Sequence, residues 1–366
     1  MIQATEHPWQ SLFAAAPMPA GLATSKWFML SKRGHPWLLL PGERKLACQA
    51  LDLYPAQTAK ARAARQVLRL ALGCGWYPRS RTLDLARCPD SLWEQFLQRL
   101  AGGHRMPVWV SLAGNPNATG QRLVILVFDP KGSPGWVVKV GVGGRAAVLI
   151  AAERSILQQL PSTTPGVPVL RGEFSVGDLQ AFALDYALGA APKAPDDAAP
   201  ATLLRQWIQP GDPQAVTEWP VWRALREQCQ NHPWFTAGQA AVAKQRVRPV
   251  LMHGDFAPWN IRVAPTDGRW LVLDWERATL QGIPGWDWFH FVIQPEILVR
   301  RRPVADIVQR LRGLLRGPEF QEYARATLIS GIEVQLLRAY LAYQVCVIQP
   351  TEGVAVTQQL LEVFQP

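Results

Sequence analysis

The sequence predicts an α+β fold, with a strand-rich segment followed by a mainly helical one. Between residues 108 and 186, apolar runs of strand length recur, separated by turn residues and one helix candidate. Residues 201–248, 304–315 and 320–346 instead carry helical periodicity. Within the helical part, two short apolar runs, Val250-Leu251-Met252 and Trp270-Leu271-Val272-Leu273, lead into polar clusters that hold Asp255, Asn260 and Asp274.

Composition narrows the class. The 366 residues suffice for two or three lobes or domains, and 48% apolar with 18% charged residues is a globular balance. No apolar run is long enough for a membrane span. The first residues, Met1-Ile2-Gln3-Ala4-Thr5-Glu6, lack the basic start and apolar core of a secretory signal. Five cysteines stand apart with no C-x-x-C pair, a pattern of reduced thiols and not of a disulfide framework or zinc site. A cytoplasmic location is therefore expected. The net charge of +10 is concentrated early: residues 1–100 hold thirteen Lys and Arg against six Asp and Glu. Such a segment can meet nucleic acid, an anionic membrane surface or an acidic partner. Its charges are dispersed and no nucleic-acid-binding motif accompanies them, so a solvated surface is expected and a nucleic-acid partner is not.

Taken in order, residues 1–50 mix Pro, Gly and Trp with short apolar runs such as Trp37-Leu38-Leu39-Leu40, compatible with β structure or irregular packing. Good helix formers over 56–72 end at Gly73. Ser91-Leu92-Trp93-Glu94 reads as a capping box, in which serine and glutamate satisfy the first backbone N–H groups of a helix that stops near Gly102. Residues 1–104 are expected to form an extension or accessory layer of unknown role. Strands are expected at 108–112 and 122–128. The turn between them is rich in Gly and Asn, and its N–H groups either face phosphates or simply close a hairpin. A third strand, 135–141, carries Lys139 at its middle. An ammonium group there needs an anionic partner, because burying an unpaired charge is costly. Nucleotide phosphates can supply it, as can Glu153 in the helix candidate 145–157. Strands at 167–171 and 180–186 complete the block, and 190–200 reads as a flexible connection.

The polar clusters carry the chemistry. Asp255, an Asn five positions later and a second Asp nineteen positions after the first suit phosphoryl transfer, where positioning and charge neutralisation matter most. One carboxylate can accept the proton of an attacking hydroxyl. The Asn oxygen and the other carboxylate can hold magnesium, a hard cation that prefers oxygen ligands. Two strands joined through a polar turn would gather the three residues around one small volume.

These residues also carry a resemblance. The H-x-D-x-x-x-x-N pattern at 253–260, a hydrophobic strand and then D-W-E at 274–276 resemble the aminoglycoside phosphotransferase and choline kinase-like family, itself similar to protein kinases. The resemblance covers roughly residues 105–350. It implies a two-lobed protein kinase-like fold, with a small antiparallel-sheet N-lobe at 105–189 and a helical C-lobe at 190–366 behind the N-terminal extension. It also implies ATP and Mg2+ as cofactors, Asp255 as the catalytic base, and Asn260 and Asp274 as metal ligands. Glu276 would add a water-mediated metal contact or organise the loop. Lys139 would bind the α- and β-phosphates, with Glu153 holding the lysine in place. Leu184, Asp185, Tyr186, Ala187 and Leu188 correspond to the hinge whose backbone contacts adenine. A Pro-x-x-Asp-x-x-x-Phe pattern at 284–291 resembles the family's next helix. Asp287 there is expected first as a tether of the catalytic loop and second as a neighbour of the acceptor, and His253 as a brace of that loop.

The function expected is transfer of the γ-phosphate of ATP to a hydroxyl of a small molecule. Carboxylates are too few to favour a polycationic aminoglycoside. Trp259, Trp275, Trp286 and Trp288 can cage a cation, stack on a sugar or simply fill the core. A sugar or other weakly polar alcohol is thus favoured over an antibiotic. Two other readings stand beside this one. Against a kinase of protein substrates count the missing G-x-G-x-x-G and A-P-E segments. Against a non-catalytic nucleotide-binding scaffold counts the presence of Lys139, Asp255, Asn260 and Asp274 together.

Overall fold

Alternation along the strands places apolar side chains on both faces of one sheet. In the computed structural model, which describes residues 9, 12, 24–54, 56, 58–103, 107–114, 119–192, 198–229 and 240–364, strand β5 (Gln121–Phe128) shows this directly. Its Leu123, Ile125 and Val127 enter one buried cluster, while Leu126 and Phe128 enter the other. The other strands of this sheet are β1 (Thr24–Lys32), β2 (His35–Pro41), β3 (Ser80–Ala86), β4 (Trp109–Ala113), β6 (Pro134–Val142), β7 (Leu170–Val176) and β8 (Leu179–Asp185). They run in the order β3-β1-β2-β4-β5-β6-β8-β7, and every neighbouring pair is antiparallel. Helices α1 (Arg44–Ala50) and α2 (Ala59–Gly73) cover one face through Leu46, Ala47, Ala50 and Leu72. Helix α3 (Leu92–Leu100) covers the other through Trp93, Phe96 and Leu97.

The antiparallel sheet followed by helices is the expected fold class, but the first hundred residues enter it more fully than expected. Three of the eight sheet strands come from residues 24–86, so the segment read as an extension is continuous with the sheet. The chain divides into two compact units, one of residues 1–162 with 168–187, the other of residues 163–167 with 188–366. Both sides of the expected boundary at 104 therefore fall within the first unit. Residues 167–169 are not strand; β7 begins at Leu170, because the preceding segment packs with the second unit, where the Gly166 carbonyl accepts the Val272 N–H at 2.8 Å. The capping box at Ser91 is half made. The Ser91 hydroxyl accepts the Glu94 N–H at 3.2 Å, but the Glu94 carboxylate turns to Arg87, at 2.6 Å from its Nε.

The second unit is mainly helical: α5 (Ala198–Gln206), α6 (Pro220–Cys229), α7 (Trp286–Gln294), α8 (Val304–Arg316), α9 (Pro318–Thr327), α10 (Glu333–Tyr343) and α11 (Val354–Val363). The periodic stretch 320–346 is broken where Leu328 and Gly331 take φ of 63° and 90°, which no helix allows. Within 201–248 a short strand, β9 (Gln214–Ala215), pairs with β10 (Arg246–Val247). Residues 193–197 of the expected flexible connection and 230–239 of the expected helical stretch lie outside the described residues. No described helix is long and apolar enough to cross a membrane.

Candidate active site

The loop around Asp255 is assembled by two short antiparallel pairs. Strand β11 (Val250–Met252) pairs with β14 (Thr279–Gly282), and β12 (Ile261–Val263) pairs with β13 (Trp270–Val272). The two runs singled out in the sequence are thus not partners of each other; each joins a strand too short to show a period. The ladder Ile261↔Val272 sets Asn260 opposite Leu273, whose N–H donates to the Asn260 carbonyl at 2.7 Å. Asp274 follows directly, at a φ of 75° that Asp tolerates better than most residues. On its other side, Asn260 Nδ2 donates to the Asp255 carbonyl at 2.9 Å and to Asp255 Oδ2 at 3.0 Å. With its donors directed there, the side-chain oxygen of Asn260 is the atom left to face a cation.

Buried polar groups hold this loop. Asp287, on α7, accepts the N–H groups of His253 at 2.7 Å and Gly254 at 2.9 Å. Burial pushes its carboxyl up to about 6, although those hydrogen bonds pull the other way. The His253 ring is fully buried, and burial lowers it to about 4, so it is neutral near pH 7. Its Nδ1 accepts the Asp255 N–H at 3.2 Å, which leaves the proton on Nε2 to donate to the Leu273 carbonyl at 3.0 Å. The imidazole is therefore a brace between the two polar clusters. Gly254 takes φ +78°, and an added Cβ would stand 2.6 Å from the Arg277 carbonyl oxygen, so only glycine fits between His253 and Asp255.

One functional residue escaped the sequence reading. His290, one turn after Asp287 on α7, donates from Nε2 to Asp255 Oδ1 at 3.0 Å. Its Nδ1 accepts the hydroxyl of Tyr340, a buried residue of α10, also at 3.0 Å. Both Asp255 oxygens are thus held, yet the side chain is 26% exposed and reachable from solvent. Burial alone would raise the Asp255 carboxyl. The hydrogen bond from His290, with the positive charge of Arg277, outweighs burial and holds it below the ordinary 3.8. The i, i+3 spacing of Asp287 and His290 was the available signal, since it places both on one helical face.

In the first unit, Lys139 meets Glu153 with its Nζ at 2.6 and 2.8 Å from the two carboxylate oxygens. Glu153 lies on the buried stripe Ala146, Ile150, Glu153 and Leu157 of α4 (Gly144–Gln159), so it is no solvent-facing residue. Gly141 lets that helix approach, because a Cβ there would stand 2.5 Å from the Ala146 carbonyl oxygen. Of the turn expected to face phosphates or close a hairpin, residues 115–118 lie outside the described residues; Thr119 accepts the Ala146 N–H at 3.2 Å. In the hinge segment, Leu184 is buried and paired on both sides, to Val137 and Leu170. Asp185 pairs with Arg171 at 2.6 Å, and the Tyr186 N–H donates to the Gly135 carbonyl at 2.9 Å. Ala187 ends the first unit, and from Leu188 onward the chain belongs to the second. Trp275, Trp286 and Trp288 are buried in the core of the second unit, whereas Trp259 is half-buried.

The phosphotransferase enzyme family matches residues 93–326. Similar solved structures include a thermostable mutant of aminoglycoside phosphotransferase APH(4)-Ia with ADP and hygromycin B, 16% identical, covering 74% of this chain and 97% of that one, at a TM-score of 0.44. Another is aminoglycoside phosphotransferase APH(3'')-Id from Streptomyces rimosus, 13% identical, covering 68% and 96% at 0.41. A third, from Haemophilus somnus and provisionally named a fructosamine-3-kinase, is 13% identical and covers 74% and 96% at 0.46. No curated protein sequence matches the chain. The family match spans more than half of the chain, from α3 through Lys139, Glu153 and the whole Asp255 loop to α9, and the chain belongs to the phosphotransferase enzyme family.

Proposed function

We propose that this phosphotransferase moves the γ-phosphate of ATP, bound with magnesium, to a hydroxyl of a small molecule. The observation that carries this reading is Asp255, a carboxylate fixed through both oxygens beside Asn260 and still reachable from solvent. Asp255 would orient the acceptor hydroxyl and take its proton late, as the loose transition state breaks the old P–O bond. A carboxyl held below its ordinary range suits that task, since little charge builds on the nucleophile beforehand. The Asn260 side-chain oxygen and the Asp274 carboxylate form an all-oxygen donor set that fits magnesium. No group of three or more His, Cys, Asp or Glu placed to hold a metal ion by themselves is found among the described residues. Two protein ligands nonetheless suffice for an ion that keeps waters and substrate phosphates in its shell. When bound, the ion would neutralise charge on those phosphates.

Lys139, held by Glu153, would bind the α- and β-phosphates, and the segment 184–188 would contact adenine. The Tyr186 N–H is already engaged, which points to the carbonyls of that segment and to the backbone of Ala187 and Leu188. For the acceptor, a sugar or other neutral alcohol is favoured over an aminoglycoside. Arg277 exerts its charge on Asp255, which disfavours a polycation there. Three of the four tryptophans that might cage a cation are core.

The test is ATP consumption across sugars, amino alcohols and aminoglycosides by wild type and Asp255→Ala. Wild type is expected to turn over a neutral hydroxyl acceptor. The variant should lose roughly 10²–10⁴-fold in rate while still binding ATP with magnesium. Turnover of aminoglycosides alone would overturn the acceptor class. Binding of ATP by both proteins, with transfer to nothing in the panel, would favour the scaffold reading.

A further inference from the structure

Helix α2 buries one side and leaves an apolar stripe on the other. Ala71 and Leu72 face the core, while Ala63, Val67, Leu70 and Cys74, at spacings of four, three and four, share the outward face. Val67 and Leu70 are 66% and 71% exposed. Trp76, 66% exposed, folds back on the helix end, its N–H donating to the Ala71 carbonyl at 2.9 Å. The charge around this stripe is mainly positive. Residues 59–83 contain Lys60, Arg62, Arg65, Arg69, Arg79 and Arg81 and no Asp or Glu. Arg69 pairs with Asp52 and Arg65 bonds the Tyr54 carbonyl; Lys60, Arg62, Arg79 and Arg81 have exposed side chains.

We propose that this face docks on an anionic lipid bilayer, with Val67, Leu70 and Trp76 entering the headgroup boundary and the exposed basic residues meeting the headgroups. Apolar and aromatic side chains beside an excess of Lys and Arg are what an interfacial helix requires. A nucleic acid would use the charges and leave the apolar stripe in water. A second copy would oppose two basic faces, whose mutual repulsion disfavours the contact. The inference is independent of the phosphoryl-transfer reading.

The full chain is sedimented with vesicles of phosphatidylcholine alone and of phosphatidylcholine mixed with phosphatidylglycerol. Binding is expected only to the anionic vesicles, weakening as salt is added. The Val67→Glu/Leu70→Glu variant, altered only at exposed positions, should keep the wild-type melting curve and bind about tenfold less, as should Lys60→Glu/Arg62→Glu. The proposal is overturned if wild type ignores both vesicles, or if the glutamate pair at 67 and 70 binds like wild type. A dimer in light scattering that this pair abolishes would assign the face to a second copy. Duplex DNA binding sensitive only to the change at 60 and 62 would assign it to nucleic acid.

Discussion

The Asp255 carboxyl is held low, against burial, by contacts that reach beyond its own motif. Burial raises its carboxyl, and the His290 hydrogen bond is the first of the contacts that reverse this. His290→Phe removes that donor, so the Asp255 carboxyl should rise and the acidic limb of the kcat/KM profile should move to higher pH. His290→Gln keeps a donor and should restore part of the shift, which a merely structural role would not show. Two other buried groups set how stability responds to pH. His253 stands at about 4 when folded against an ordinary 6.5, so between those values the unfolded state takes up a proton and stability falls as pH drops. Asp287 stands at about 6 against an ordinary 3.8, so across that window the folded state keeps a proton and stability falls as pH rises. The two slopes oppose each other. Urea midpoints of wild type should change little between about pH 4.5 and 6, whereas those of His253→Asn should rise on acidification across that range.

Helix α4 is the element on which the nucleotide contacts proposed for Lys139 depend. Gly141 admits it to the sheet, and its stripe carries Glu153 to Lys139. Gly141→Ala would place a Cβ 2.5 Å from the Ala146 carbonyl oxygen, against backbone that cannot turn aside. The helix must shift, at about 1–3 kcal/mol of overpacking. Loss of ATP affinity, read by calorimetry alongside the melting curve, should exceed what the stability change alone produces. Glu153→Gln should leave helix packing in place and lower ATP affinity by weakening the hold on Lys139. This helix was legible in the sequence because apolar residues and Glu153 recur at helical spacing over sixteen residues. The three-residue strands β11, β12 and β13 show no such repeat, so their partners could not be read from pattern. His290 was hidden for a different reason: every residue of α7 is buried, and a polar residue on such a helix stands out only once its partners are placed.

At the scale of the whole chain, the Asp255–Asp274 motif was readable because phosphoryl transfer, the chemistry of the family, constrains residue types and spacing, whereas pairing at the edge of a sheet does not. Residues 1–104 looked like an extension because their strands are mixed with Pro, Gly and charge, yet β2 pairs with β4 through Leu38↔Leu112 and Leu39↔Ser111. Their side chains also complete both clusters, Leu38 and Leu40 on one face, Trp27, Met29 and Leu39 on the other. A chain shortened to residues 105–366 would uncover β4 as a new edge and expose Trp109 and Ile125 on one face and Val110 and Leu126 on the other. It would also remove α1, α2 and α3, which cover those faces. The expected outcome is a first unit that binds a hydrophobic dye, loses its near-ultraviolet circular dichroism and aggregates, while the full chain unfolds cooperatively. Cooperative unfolding of residues 105–366 with ATP binding intact would instead make the early strands accessory. The first outcome is expected because, among the described residues, the helices that enter the two clusters are α1 and α2 on one face and α3 on the other, all of them from the early segment.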